Sequence, residues 1–464
     1  MKLSNRLRGR LGAREPGGWR RTARIPALAL AAALVAGVAA GCSSSSSSTP
    51  ASTSSATSAT SATSAGQKVT LSFWTWVPNI DKVVAIWNKA HPDIQVQVQV
   101  QAGGDEELTK LLTAAKAGDP PDLAQVEYQA LPTLVSSNYL ANIAAETSGL
   151  SSDYPAGVWN QVTLGTSSVY GIPQDAAPMA FFYRPALFAK YKLTVPTTWA
   201  QFLADATKLH AEAPGVYLST FSSQDPGEFA GLAQQAGAQW WSASGSTWQV
   251  GIDDAASQKV FSFWQQAIAS GGVNNQPQWT AAWNKGMNDG QYIGWVSDVW
   301  APTDFPTVSA SNAGKWVMTA LPQWSAGQSV AGNWGGSSTG VLAASKHQQD
   351  AAQFATWLNT NPTATAALAS ISGIYPADTT AEAALSSPPS YFSNQSDFWS
   401  LAKQLSGTSS AVTWGPDVNV AYSDWTTDFG SAATSKSSFI TALGQVQSAV
   451  LSDMKKSGFT VQAG

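Results

Sequence analysis

The folded part of this chain reads as an α/β protein with room for two lobes, and three observations predict it. Runs that alternate apolar and polar residues, as half-buried strands do, interleave with runs whose apolar residues recur at helical spacing. The first elements follow a β-α-β-α-β order, which points to a parallel or mixed sheet. About 400 residues follow a low-complexity N-terminal region, enough for two lobes with substantial cores.

At the N-terminus, Lys2, Arg6, Arg8, Arg10, Arg14, Arg20, Arg21 and Arg24 precede an apolar run from Ile25 to Gly41. A basic front before a short, alanine-rich apolar segment is the layout of a secretory signal rather than a membrane span. The run ends in Ala39-Ala40-Gly41-Cys42, which resembles the lipobox of bacterial lipoproteins, with alanine where leucine is usual. Residues 1–41 are therefore expected to be a signal peptide and Cys42 a lipidation site. A buried free thiol is the alternative, but Cys42 lies between an apolar run and a serine tract and has no core to enter. Arg20-Arg21 lacks the apolar residues that follow a twin-arginine pair, and the choice between the Sec and twin-arginine routes stays open. Residues 42–67 are almost wholly Ser, Thr and Ala, too polar to offset their ordering entropy. They read as a flexible tether reaching roughly 25 to 30 Å.

Residues 1–41 hold eight basic residues and one acidic one, so setting them aside moves the net charge from −4 to −11. An acidic domain argues against nucleic acid as a partner. Cys42 is the single cysteine, which excludes internal disulfides and cysteine metal sites. Of the 21 tryptophans, 20 lie outside residues 1–41; a core position is the first reading for any one of them, but this many also suggests ring faces available to a ligand.

Val69-Thr70-Leu71-Ser72-Phe73 alternates and runs into Trp74-Thr75-Trp76, which places Trp74 and Trp76 on the face opposite Leu71 at the carboxyl end of a strand. Ile80, Val83, Val84 and Trp87 then fall at helical spacing, closed by His91-Pro92. Ile94 to Val100 alternates strictly. Leu108, Leu111, Leu112 and Ala115 mark a second helix ending at Gly118, and Asp122 to Val126 a third strand. Further on, Thr198 with Gln201 and Ser345 with Gln348 have capping-box spacing. Asp253 suits a helix start, and Phe439, Leu443, Val446, Val450 and Met454 mark a long terminal helix.

Tyr170-Gly171-Ile172-Pro173-Gln174-Asp175, Phe181-Phe182-Tyr183-Arg184-Pro185, Val195-Pro196-Thr197-Thr198-Trp199, Gly294 to Trp300, Leu321-Pro322, Gly335 to Val341 and Gly373-Ile374-Tyr375-Pro376 occur in that order. As a set they resemble family 1 extracellular solute-binding proteins, the sugar receptors of ABC importers, of which the maltose-binding type is one. Arg184 departs from the pattern, where asparagine is frequent, and residues 219–251 match nothing in it.

The resemblance implies a periplasmic-binding-protein type II fold, two α/β lobes joined by hinge strands with the ligand in the cleft. Lobe one would be 68–177 with 335–373, and lobe two 178–334 with 374–464. The first crossing would fall at Ala176 to Ala180, small residues suited to changing φ and ψ. It also implies a carbohydrate ligand, ABC permease transmembrane subunits as partners, a monomer without cofactor or metal, and a location on the outer face of the cytoplasmic membrane through the lipid on Cys42.

A sugar needs aromatic platforms for its C–H faces and side chains that pair with its hydroxyls. Trp74 and Trp76 qualify by their position beyond a strand, although either could cap the core. The resemblance puts an aromatic ligand contact at Trp300. Asp298 is either a ligand group or the cap of the next turn, and Asp175 either a bidentate acceptor or a turn residue. Trp334, Gly335 and Gly336 would let backbone approach a ligand. Glu127, Tyr375 and one member of Trp240-Trp241 complete the candidates, and 391–425 is expected at one end of the cleft. A polyamine in the same fold is one competing reading. A secreted carbohydrate-active enzyme is another, but His91, His210 and His347 are scattered and no catalytic spacing is visible.

Overall fold

Alternation in the first run is realised as the strand Val69–Thr75, with Leu71, Phe73 and Thr75 inward and Trp74 half-buried on the other side. The computed structural model describes residues 68–381, 385, 387–435 and 438–464, which fall within one compact unit, 64–464. The predicted signal segment 1–41, Cys42 and the tract to residue 67 lie outside the described residues.

Val69–Thr75 pairs in parallel with Ile94–Val100 on one side and with Leu123–Glu127 on the other. Ser337–Val341 then runs antiparallel to Leu123–Glu127 and to Ile172–Asp175, so the five-stranded sheet is mixed. A second sheet has Met179–Tyr183 at its centre, antiparallel to Gly294–Asp298 and to Val317–Ala320. The parallel pair Ser219–Phe221 and Val273–Asn275 extends it through a bridge between Tyr217 and Tyr292. Successive side chains of Met179–Tyr183 point to opposite faces. Phe181 therefore enters one apolar cluster while Phe182 packs in another with Trp295, Phe305 and Phe392.

Thr198 and Gln201 form both halves of the predicted capping box at the helix Trp199–Glu212. Two other expected starts differ. Ser345 does not cap: its hydroxyl donates to Asp122 Oδ1, and the helix Gln348–Thr360 begins after His347. Asp254, not Asp253, caps the helix Ala255–Ala269, accepting from Ser257 N at 2.7 Å. The terminal helix Phe439–Lys456 buries the apolar stripe read from the sequence.

Between the two sheets, three stretches of chain run side by side. Trp334 N donates to Ala177 O at 3.1 Å, Met179 N to Gly332 O at 2.8 Å, and Ala377 N to Gln174 O at 3.1 Å. Asp175 and the Trp334-Gly335-Gly336 turn both sit at this junction.

Candidate functional site

The floor of the site is a hydrogen-bonded line across the ends of four strands. Thr75 Oγ1 donates to Gln125 Oε1 at 2.6 Å, Gln125 Nε2 to Ser337 Oγ at 2.9 Å, and Ser337 Oγ and N to Asp175 Oδ1, the latter at 2.8 Å. Each donor is satisfied by the next strand's side chain, which locks their relative register. Burial pushes the Asp175 carboxyl up to about 6, while the Ser337 hydrogen bonds oppose that rise.

Above the floor, Gly335 and Gly336 adopt φ of +84° and +83°, a left-handed pair that residues with a Cβ rarely follow. A Cβ on Gly336 would stand 2.8 Å from the Tyr128 ring. Tyr128 is itself fixed, its hydroxyl donating to Asp175 O at 3.0 Å. The turn exposes the Trp334 carbonyl, which accepts from Trp300 Nε1 at 2.8 Å.

Trp300 and Trp334 meet edge to face with centroids 5.2 Å apart, and Trp279 adds a third ring 6.3 Å from Trp300 and 6.1 Å from Trp334. Trp279 Nε1 donates to Asp304 Oδ2 at 2.8 Å. It is 43% exposed and carries a φ of +57°, a conformation that costs a non-glycine residue about 1–2 kcal/mol. Trp76 faces this group across a cavity of about 500 Å³, whose polar lining includes Gln101, Gln125, Glu127, Asp175 and Asp304. A second cavity of about 360 Å³ shares Gly104, Glu127, Trp279, Trp334 and Gly335 with the first and extends to Tyr422 and Thr426. Both volumes fall in the range of small-molecule sites.

Seven of the predicted site residues are brought together here: Trp76, Glu127, Asp175, Trp300, Trp334, Gly335 and Gly336. Four are not. The strand ends at Thr75, so Trp76 leaves the alternation for the cavity while Trp74 stays on the sheet, its Nε1 donating to Gln99 Oε1 at 2.9 Å. Asp298 is fully buried and accepts from Trp300 N at 2.7 Å, the turn-capping alternative. Tyr375 is buried against Trp399, and the neighbouring Ile374 lines the cavity instead. Trp240 and Trp241 are both buried rather than divided between core and surface. Trp240 Nε1 donates to Ser257 Oγ, and the pair borders a separate cavity of about 130 Å³. The segment 391–425 reaches the second cavity through Tyr422.

Sequence reasoning missed Gln125, Trp279 and Asp304. Gln125 looks like an ordinary strand residue, and Trp279 joins the site only through a turn with no sequence mark. Asp304 lies in the Pro- and Asp-rich stretch after Trp300, the one available signal. Among the described residues, no group of three or more His, Cys, Asp or Glu is arranged to hold a metal. No helix there is long and apolar enough to cross a membrane.

Comparison with known proteins identifies the family and the fold. Residues 74–365 match the model of the bacterial extracellular solute-binding protein family. An uncharacterized lipoprotein in the oleD 5′ region of Streptomyces antibioticus is 29% identical over 170 residues, a match spanning 34% of this chain and 37% of that protein. The lactose-binding protein of Rhizobium radiobacter is 27% identical over 302 residues, 61% of this chain and 69% of that protein. Among solved structures, the ABC transporter associated binding protein from B. animalis subsp. lactis, in complex with β-1,6-galactobiose, superposes with a TM-score of 0.77. It is 26% identical and covers 85% of this chain and 100% of its own.

Proposed function

The chain belongs to the bacterial extracellular solute-binding proteins, and from that premise we propose that it is the extracytoplasmic receptor of an ABC importer, capturing a sugar or short oligosaccharide in its cleft. The observation that carries this reading is the site itself: Trp76, Trp279, Trp300 and Trp334 surround a cavity lined by Gln101, Gln125, Glu127, Asp175 and Asp304. Indole faces cover the apolar C–H patches of a pyranose, and amides and carboxylates pair with its hydroxyls. The sugar-binding relatives support the ligand class.

In this proposal the lobes are 68–177 with 335–373 and 178–334 with 374–464, joined where residues 174–179, 332–334 and 377 hydrogen-bond side by side. A ligand touching both lobes favours the closed form, and about 5.5 kcal/mol of differential affinity would move a 1:99 population to 99:1. The closed monomer then presents both lobes to the permease. Lipid on Cys42 would keep it at the outer face of the cytoplasmic membrane, on the tether of residues 42–67.

Thermal shift against mono- and oligosaccharides tests the ligand class, since a ligand bound to the native state raises its melting temperature. Small-angle scattering with a saturating hit should show compaction, and an unchanged radius would refute lobe closure. Three carboxylates in the lining also suit a polyamine. Silence across all sugars with a response to spermidine would replace the sugar reading.

A further inference from the structure

Trp279 stands in the wall that both cavities share. Its left-handed backbone and its exposure are both unfavourable for a bulky apolar residue, so the turn must be held from either side. On the C-terminal side Thr280 caps the helix Ala281–Asp289, accepting from Trp283 N at 3.2 Å. On the N-terminal side the grip comes from Gln278, a buried amide used at both ends. Gln278 Oε1 accepts from Trp295 Nε1 at 3.0 Å, and Nε2 donates to Glu228 Oε2 at 2.8 Å.

Glu228 is fully buried on the helix Pro226–Gln235. Its Oε2 also accepts from Ser222 N at 3.2 Å, while Oε1 has no hydrogen-bond partner among the described residues. Burial, together with nearby Asp225, holds this carboxyl well above the usual carboxylate range. A fully buried acid is costly, and its two hydrogen bonds join the end of one strand to the residue before Trp279.

We propose that Glu228 is a positioning residue of the cleft: through Gln278 it fixes the turn that keeps the Trp279 indole as the partition between the two cavities. The consequence for ligand selection rests on the cleft being the binding site, but the positioning itself can be measured with no ligand present. The competing explanation is that Glu228 only ties its own helix to the strand Ser219–Phe221.

The test is fluorine NMR of the mature chain labelled with 5-fluorotryptophan, with the Trp279 and Trp87 signals assigned from Trp279→Phe and Trp87→Phe. Glu228→Ala should shift or broaden the Trp279 signal while Trp87, in the core of the other sheet, stays put. Glu228→Gln offers an oxygen to the same two donors and should restore the native Trp279 signal. If Glu228→Ala does not fold, Gln278→Met cuts the same link from the other side and should move the Trp279 signal likewise. A Trp279 signal that stays native in a folded Glu228→Ala or Gln278→Met variant overturns the proposal. So does a Glu228→Gln signal displaced as far as that of Glu228→Ala.

Discussion

Trp300→Ala probes the cleft most directly, and its size can be worked from the contacts. A pyranose face laid on the indole removes about 50 Å² of ring from water, worth about 1.3 kcal/mol at roughly 25 cal/mol per Å². The same truncation deprives the Trp334 carbonyl of its donor at 2.8 Å and removes three ring contacts, to Trp334, Trp279 and Trp295. Loosening of that wall adds about 0.5–1.5 kcal/mol. Together these weaken binding by about 2–3 kcal/mol, roughly 30- to 150-fold in Kd. Trp300→Phe keeps a ring but loses the N–H, so it should cost only a few-fold, about 1 kcal/mol. Isothermal titration with the best ligand from the sugar panel measures both, with near-UV circular dichroism to verify the fold. A folded Trp300→Ala variant that binds like the wild type would refute the assignment of this ring to the ligand.

Asp175 should make stability depend on pH in a window set by its shift. Its carboxyl is raised from 3.8 to about 6, so the folded state keeps a proton that the unfolded chain has lost, and stability falls as pH rises from about 4 to about 6. Asp175→Asn retains an oxygen for Ser337 and should flatten that slope in urea titrations, stabilising the protein at pH 7 by up to about 3 kcal/mol. Gly336→Ala should cost about 2–4 kcal/mol, combining left-handed strain with a clash on Tyr128. Gly118→Ala has a similar φ, +79°, but no atom within 4 Å of the added Cβ, and should cost only about 1–2 kcal/mol. Equal losses in chemical denaturation would show that the Tyr128 contact is relieved without cost. Cys42→Ala should move the protein from the membrane fraction to the medium with sugar affinity unchanged, and retention on the membrane would rule out Cys42 as its anchor.

Element type and order were legible because the signals are local. Val69 to Phe73 and Ile94 to Val100 carry their strand period in their own side chains, and Thr198 with Gln201 closes its capping box within four residues. Gly335-Gly336 was legible for a similar reason, since two adjacent glycines mark backbone that side chains would obstruct. Caps set by competition were not: Ser345 has capping spacing, but Asp122 takes its hydroxyl from 223 positions away.

By itself, then, the sequence determined an α/β chain, the order of its first five elements, and seven of the residues that line the first cavity. Only the tertiary structure decided which aromatic rings meet. Trp74 and Trp76 are two residues apart, yet one remains on the sheet beside Gln99 and the other lines the cavity, because the strand ends between them. Trp279 and Tyr375 exchange the roles that local reading would give them. The exposed turn residue faces Trp300 and Trp334, while the residue in the family-like motif stacks on Trp399. Periodicity tells a side chain which face to take, but which ring it meets depends on pairings between residues that are distant in sequence and have no local signature.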